Sequence, residues 1–140
     1  MTYEQVLQRF GLPASAADHN EIRRLLGEEI GLARHSEERE EMLRVLCFLL
    51  FSLSSINDVL LIWDAKQSNF DASCGLEVQF LCGAGLQATK DFLNASKAPT
   101  APEALSYLVD CEQTGDFSGF SPAVWIAQYR RYYGLDAADF

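Results

Sequence analysis

Apolar positions along the chain recur three and four residues apart, and no stretch shows the strict alternation of a half-buried strand. Thr2 with Gln5 fits a capping box. Tyr3, Val6, Leu7 and Phe10 follow at helical spacing until Gly11 and Pro13 stop the run. Asp18-His19-Asn20-Glu21 reads as a second box, ahead of a face formed by Ile22, Leu25, Leu26 and Ile30. Ser36 opens a third helix, whose first turns, Glu37 to Glu41, put carboxylates where the helix dipole favours them. From Leu43 to Leu53 that helix is apolar on all sides, which places it in the middle of the domain. Ser55 and Asp58 introduce a fourth helix, with Ile56, Val59, Leu60 and Trp63 inward and Leu61 and Ile62 widening the stripe. Taken alone, "VLLIW" also fits a short buried strand.

The second half is more heavily punctuated. "WDAKQSNFDASCG" is polar, and Asp71 is well placed to cap a short helix that continues through Leu76, Phe80 and Leu81 to Gly83 or Gly85. Leu86, Thr89, Phe92 and Leu93 mark another helix, and "SKAPTAP" is a loop. Thr100 with Pro102 and Glu103 starts a helix buried through Ala104, Leu105, Leu108 and Cys111. After the turn "QTGDFSG", Ser121-Pro122 begins a last helix carrying Trp125, Tyr129, Tyr132 and Tyr133, closed by Gly134. The expectation is an all-α fold: one domain over residues 1–140, a bundle of about seven or eight helices with a buried central hairpin at about 37–66.

At 140 residues and 49% apolar, the chain can bury a core without staples. Its 20 acidic against 11 basic residues leave a net charge of -9, which repels nucleic acid and anionic lipid and attracts a basic protein. No export signal is visible. The longest unbroken apolar run, Val45 to Phe51, is too short to span a bilayer, so a cytoplasmic protein with no membrane partner is expected. Cys47, Cys74, Cys82 and Cys111 lack zinc spacing, and His19 and His35 stand far from them, so no metal or other cofactor is expected.

No motif carries chemistry of its own. "CGAGLQATK" lacks the lysine-serine/threonine end of a phosphate loop, and Gly83-Ala84-Gly85 reads as a break where backbones cross closely. Cys74 needs a base or a positive neighbour to act as a nucleophile. Asp64, Asp71 and Glu77 fall within fourteen residues, which keeps open an enzymatic site around Asp64, Asp71 and Cys74. The tail "YRRYYGL" could stack on bases, but the surrounding acidity favours packing.

The distribution of charge says more. Lys66 is the only base between Asn57 and Thr89, and there is none between Ala98 and Gln128. If those stretches share a side, that side is negative with apolar spots, and suits a basic protein.

"INDVLLIWDAKQSNFDASCGLEVQFLCGAG", "ALSYLVDCEQTGDF" and "FSPAVWIAQYRRYYGL", within roughly residues 56 to 134, resemble the immunity proteins encoded beside bacterial polymorphic or contact-dependent toxins. The resemblance implies a protein without catalysis that binds its cognate toxin, a basic nuclease or nucleotide-targeting domain, and occludes its active site. The residues expected at such an interface are Asp64, Asn69, Asp71, Glu77, Glu112, Asp116, Phe117 and Tyr133. The alternatives are a helical adaptor or scaffold, or the enzyme just described.

Overall fold

Side-chain caps open the helices that begin at Tyr3, Phe70 and Pro122, and short 3-10 turns lead into those that begin at His19, Glu40 and Val59. The computed structural model describes residues 1–135. Among them are eight α-helices and no strand: α1 (Tyr3–Phe10), α2 (His19–Ala33), α3 (Glu40–Ser52), α4 (Val59–Lys66), α5 (Phe70–Gly75), α6 (Leu86–Ala95), α7 (Ala101–Gln113) and α8 (Pro122–Tyr132). Single 3-10 turns precede α2, α3 and α4, and Val78–Cys82 is a fourth.

The Thr2–Gln5 capping box is formed on both sides, at 2.8 and 3.2 Å. Ser121 caps α8. Three other caps depart from the sequence pattern. Asp18 and Thr100 have backbone near ψ 0°, not the extended form that lets a cap side chain reach back, and neither makes a cap bond. Ser55 enters a 3-10 turn and caps nothing. The short helix after position 69 is capped by Asn69, whose side chain accepts from the Ala72 amide at 2.7 Å, and not by Asp71, which lies in its first turn. Leu76 is extended and closes that helix, so Val78–Cys82 is a separate turn.

α3 and α4 form the buried centre. Leu43 and every residue from Val45 to Phe51 are buried, as are Val59, Ile62, Trp63 and Ala65. α3 has its longest seam with α2 and also touches α1, α5, α8 and the Val78–Cys82 turn. An aromatic cluster joins α3 to α8 through that turn: Phe48, Phe51, Phe80, Trp125 and Tyr129, with neighbouring ring centroids 4.5 to 6.4 Å apart. Gly83 explains how the turn comes so close. A Cβ there would stand 2.5 Å from the Phe51 carbonyl oxygen, so only glycine allows the approach. Gly85, at φ +100°, then redirects the chain into α6.

Two carboxylates buried under this shell are bonded. Asp58, 2% exposed, meets His19 Nε2 and Arg23 Nε, each at 2.6 Å, and ties the start of α4 to α2. Glu29 accepts a bidentate pair from Arg39 at 2.5 and 2.8 Å. No described helix is long and apolar enough to cross a membrane.

Candidate functional site: the α4–α7 groove

The inward residues of α7, Ala101, Ala104 and Leu108, are buried. Helical geometry therefore turns Glu103, Tyr107 and Asp110, at i, i+4 and i+7, outward along one line. On α4 the buried residues are Val59, Ile62, Trp63, Ala65 and Lys66, which leaves Asp64 and the following Gln67 exposed. Between the two helices run adjoining clefts of about 410 and 530 Å³ that share Trp63, Gln67 and Glu103. One adds Ser73, Ser106, Tyr107 and Asp110, and the other adds Leu60, Leu61, Asp64 and Thr100. The Trp63 and Tyr107 rings are 5.5 Å apart. The result is a shallow groove with an aromatic floor and acidic rims.

Lys66 decides the charge of this surface. Although it is the one base of its stretch, it is only 4% exposed. Its Nζ donates to the carbonyls of Ser73 and Leu76 at 2.5 and 2.6 Å, holding α5 and the residue after it against α4. The ammonium also lies 5.3 Å from the Tyr107 ring. Burial holds its pKa below the ordinary lysine value. The positive charge thus points inward, and the rims keep their negative sign.

Elsewhere several carboxylates are paired within the chain. Arg24 bonds Glu21 and Glu28, Arg39 bonds Glu29, Arg44 bonds Glu40 and Glu41, and Lys90 bonds Glu112. Glu103 and Asp110 have no ion-pair partner among the described residues, and Asp64 has only Arg34 at 3.3 Å, both half exposed.

The eight residues expected at an interface do not share one surface. Asp64 borders the groove. Asn69 is occupied: besides capping α5, its amide donates to the Ala33 carbonyl at 2.9 Å. Asp71 is half-buried next to it. Glu112 is paired with Lys90 at 2.9 Å. Asp116 is exposed beyond the end of α7, where its carbonyl accepts from the Gln79 amide, and Phe117 packs edge-on against Phe120. Glu77 accepts from the Tyr129 hydroxyl, and Tyr133 lines a cleft beside α1. The groove residues not singled out from the sequence are Glu103, Tyr107 and Asp110. Their i, i+4, i+7 spacing, opposite Ala104 and Leu108, was the available signal.

Of the residues of the alternative site, Asp64 borders the groove, Asp71 is half-buried and Cys74 is exposed. His19 is engaged by Asp58 and His35 is exposed beyond the end of α2. No group of three or more His, Cys, Asp or Glu among the described residues could hold a metal ion. Burial raises the thiol pKa of Cys47, and pushes that of Cys82 up to about 12, so both behave as small apolar groups. Compared with family models, with curated proteins and with solved structures, the chain matches none.

Proposed function

We propose that this chain is an immunity-type inhibitor that binds the basic active-site region of a cognate bacterial toxin domain through the α4–α7 groove, without catalysis of its own. The observation that carries the reading is the outer line of α7. Glu103 and Asp110 flank an exposed Tyr107, no base is paired with them among the described residues, and Lys66, beside Tyr107, is turned into the core. Tyrosine between unpaired carboxylates is the composition that anchors and steers a basic partner. α5 borders the groove through Ser73 and carries Phe70, 74% exposed, as a further apolar contact. An interface of ordinary size, about 1,600 Å² in total, would cover the groove and its margins.

The test is a binding measurement between the purified chain and the product of the adjacent gene, together with that product's toxic activity. The expected result is a complex tighter than micromolar that abolishes toxicity and weakens with added salt. E103Q/D110N should slow association at least tenfold. A neighbouring product with no toxic activity and no micromolar complex would overturn the reading. So would a complex indifferent to both salt and the double variant. Self-association without any such complex would favour the adaptor reading instead.

A further inference from the structure

A second cleft, of about 530 Å³, opens between α1 and α8. Its walls are the rings of Tyr3, Tyr132 and Tyr133 and the side chain of Leu7, and its polar rim includes the carboxylates of Glu4 and Glu41. We propose that this cleft binds a flat organic cation of the guanidinium class, stacked on tyrosine and bonded to carboxylate, independently of the α4–α7 groove.

The lining determines the ligand. Tyrosine faces are negative, and three of them converge here: Tyr3 and Tyr133 lie 6.5 Å apart, and Tyr132 and Tyr133 meet nearly edge-to-face at 4.9 Å. No lysine, arginine or histidine lines the cleft among the described residues. Arg44, which bonds Glu41 of the rim, is committed: its guanidinium bonds Glu40, Glu41 and the Gly75 carbonyl at 2.7 to 3.0 Å. Glu40 and Glu41 share that one arginine and Glu4 has no ion-pair partner among the described residues, so the lining itself carries a negative charge. That field also acts on the tyrosines themselves. Glu4 is the main cause of the raised Tyr3 pKa, and burial followed by Glu41 raises that of Tyr133. Both phenols therefore stay neutral near pH 7 and present neutral rings, with the Tyr133 hydroxyl donating to Glu41 at 3.4 Å. Tyr132, 62% exposed, can close over an occupant without leaving the core short of a partner. A guanidinium fits this lining better than an ammonium. It is planar, weakly hydrated and forked, so it can stack on a ring and bond a carboxylate at once.

The experiment titrates the full chain with butylguanidinium and with butylurea, its uncharged isostere, following amide shifts by NMR. The expected result is saturable binding of butylguanidinium with shifts confined to α1, the start of α3 and the end of α8, at least fivefold tighter than butylurea. Tyr132→Ala and Glu4→Gln, both at exposed positions, should each weaken binding about threefold, and Tyr132→Phe should retain it. A blocked arginine binding as well as butylguanidinium assigns the cation to a polypeptide side chain, whereas its exclusion assigns it to a free small molecule. Equal affinity for both probes, shifts elsewhere, or no change in Tyr132→Ala would overturn the proposal.

Discussion

Gly83→Ala is the sharpest test of the packing described above. The glycine has ordinary helical dihedrals, φ -61° and ψ -27°, so alanine meets no backbone penalty there. On conformational grounds alone the change should stabilise the chain by about 0.5–1 kcal/mol, because alanine narrows the unfolded ensemble. Space reverses the sign. The new Cβ would stand 2.5 Å from the Phe51 carbonyl oxygen and 3.1 Å from the Phe51 Cα, backbone atoms of α3 that no rotamer change can move. Overpacking of this kind costs about 1–3 kcal/mol, leaving a net loss of about 1 kcal/mol. Gly27 and Gly31, inside α2, supply the control, since a Cβ at either meets nothing within 4 Å. Alanine at each should stabilise by about 0.5–1 kcal/mol. Urea titrations followed through the buried Trp63 and Trp125 read all three variants on one scale, with an unchanged slope expected. A Gly83→Ala midpoint at or above that of the unaltered chain would refute the close approach between α3 and the Val78–Cys82 turn.

Asp58→Ala should cost about 3 kcal/mol by removing the buried partner of His19 and Arg23, whereas Asp64→Ala, losing one exposed pair, should stay within about 0.5 kcal/mol; urea midpoints separate the two. Stability should fall as pH rises above 9. Cys47 and Cys82 from a starting value of 9.0, and Tyr129 and Tyr133 from 10.0, have raised values in the fold, so the native state holds protons that the unfolded chain releases. Cys82 alone should contribute a slope of about 1.4 kcal/mol per pH unit between 9 and 12. Cys82→Ala should flatten that limb. Lys66, lowered from 10.5, works in the opposite sense, and Lys66→Met should steepen it. E103Q/D110N should leave the urea midpoint within about 0.5 kcal/mol of the unaltered chain, because neither carboxylate holds the fold together; a large loss would show that the groove residues are structural.

The all-α architecture and the central position of α3 were legible because an eleven-residue run apolar on every side can only be buried. The break at Gly83-Ala84-Gly85 was legible for a related reason: two glycines flanking one small residue leave backbone free to approach backbone. Helix starts were less legible. Asp18 and Ser55 look like caps, but Asp18 ends a 3-10 turn and Ser55 enters one, and Asp58 is drawn to His19 and Arg23, 39 and 35 residues away in sequence. That long-range pairing leaves no local trace. The groove was half legible. The absence of bases across its two stretches was plain, but whether Lys66 faced water or the core could not be read from "DAKQ". The two carbonyls that hold it belong to Ser73 and Leu76, whose positions depend on Asn69 and not Asp71 opening α5.

Net charge is a poor guide to this surface, and the distinction bears on what can bind it. At physiological salt a charge is felt over about 8 Å, so carboxylates paired across α2 and α3 contribute little to an approaching partner. On the α4–α7 side the attraction that survives comes from Glu103, Asp110 and the weakly held Asp64. Seven helical residues separate Glu103 from Asp110, a rise of about 10 Å. A complementary segment must therefore carry two bases about 10 Å apart with an aromatic or apolar group between them to meet Tyr107. A helix satisfies this at i and i+7, where both side chains lie on one face. A partner whose bases are clustered on adjacent residues would engage one rim only, and would gain little from the other.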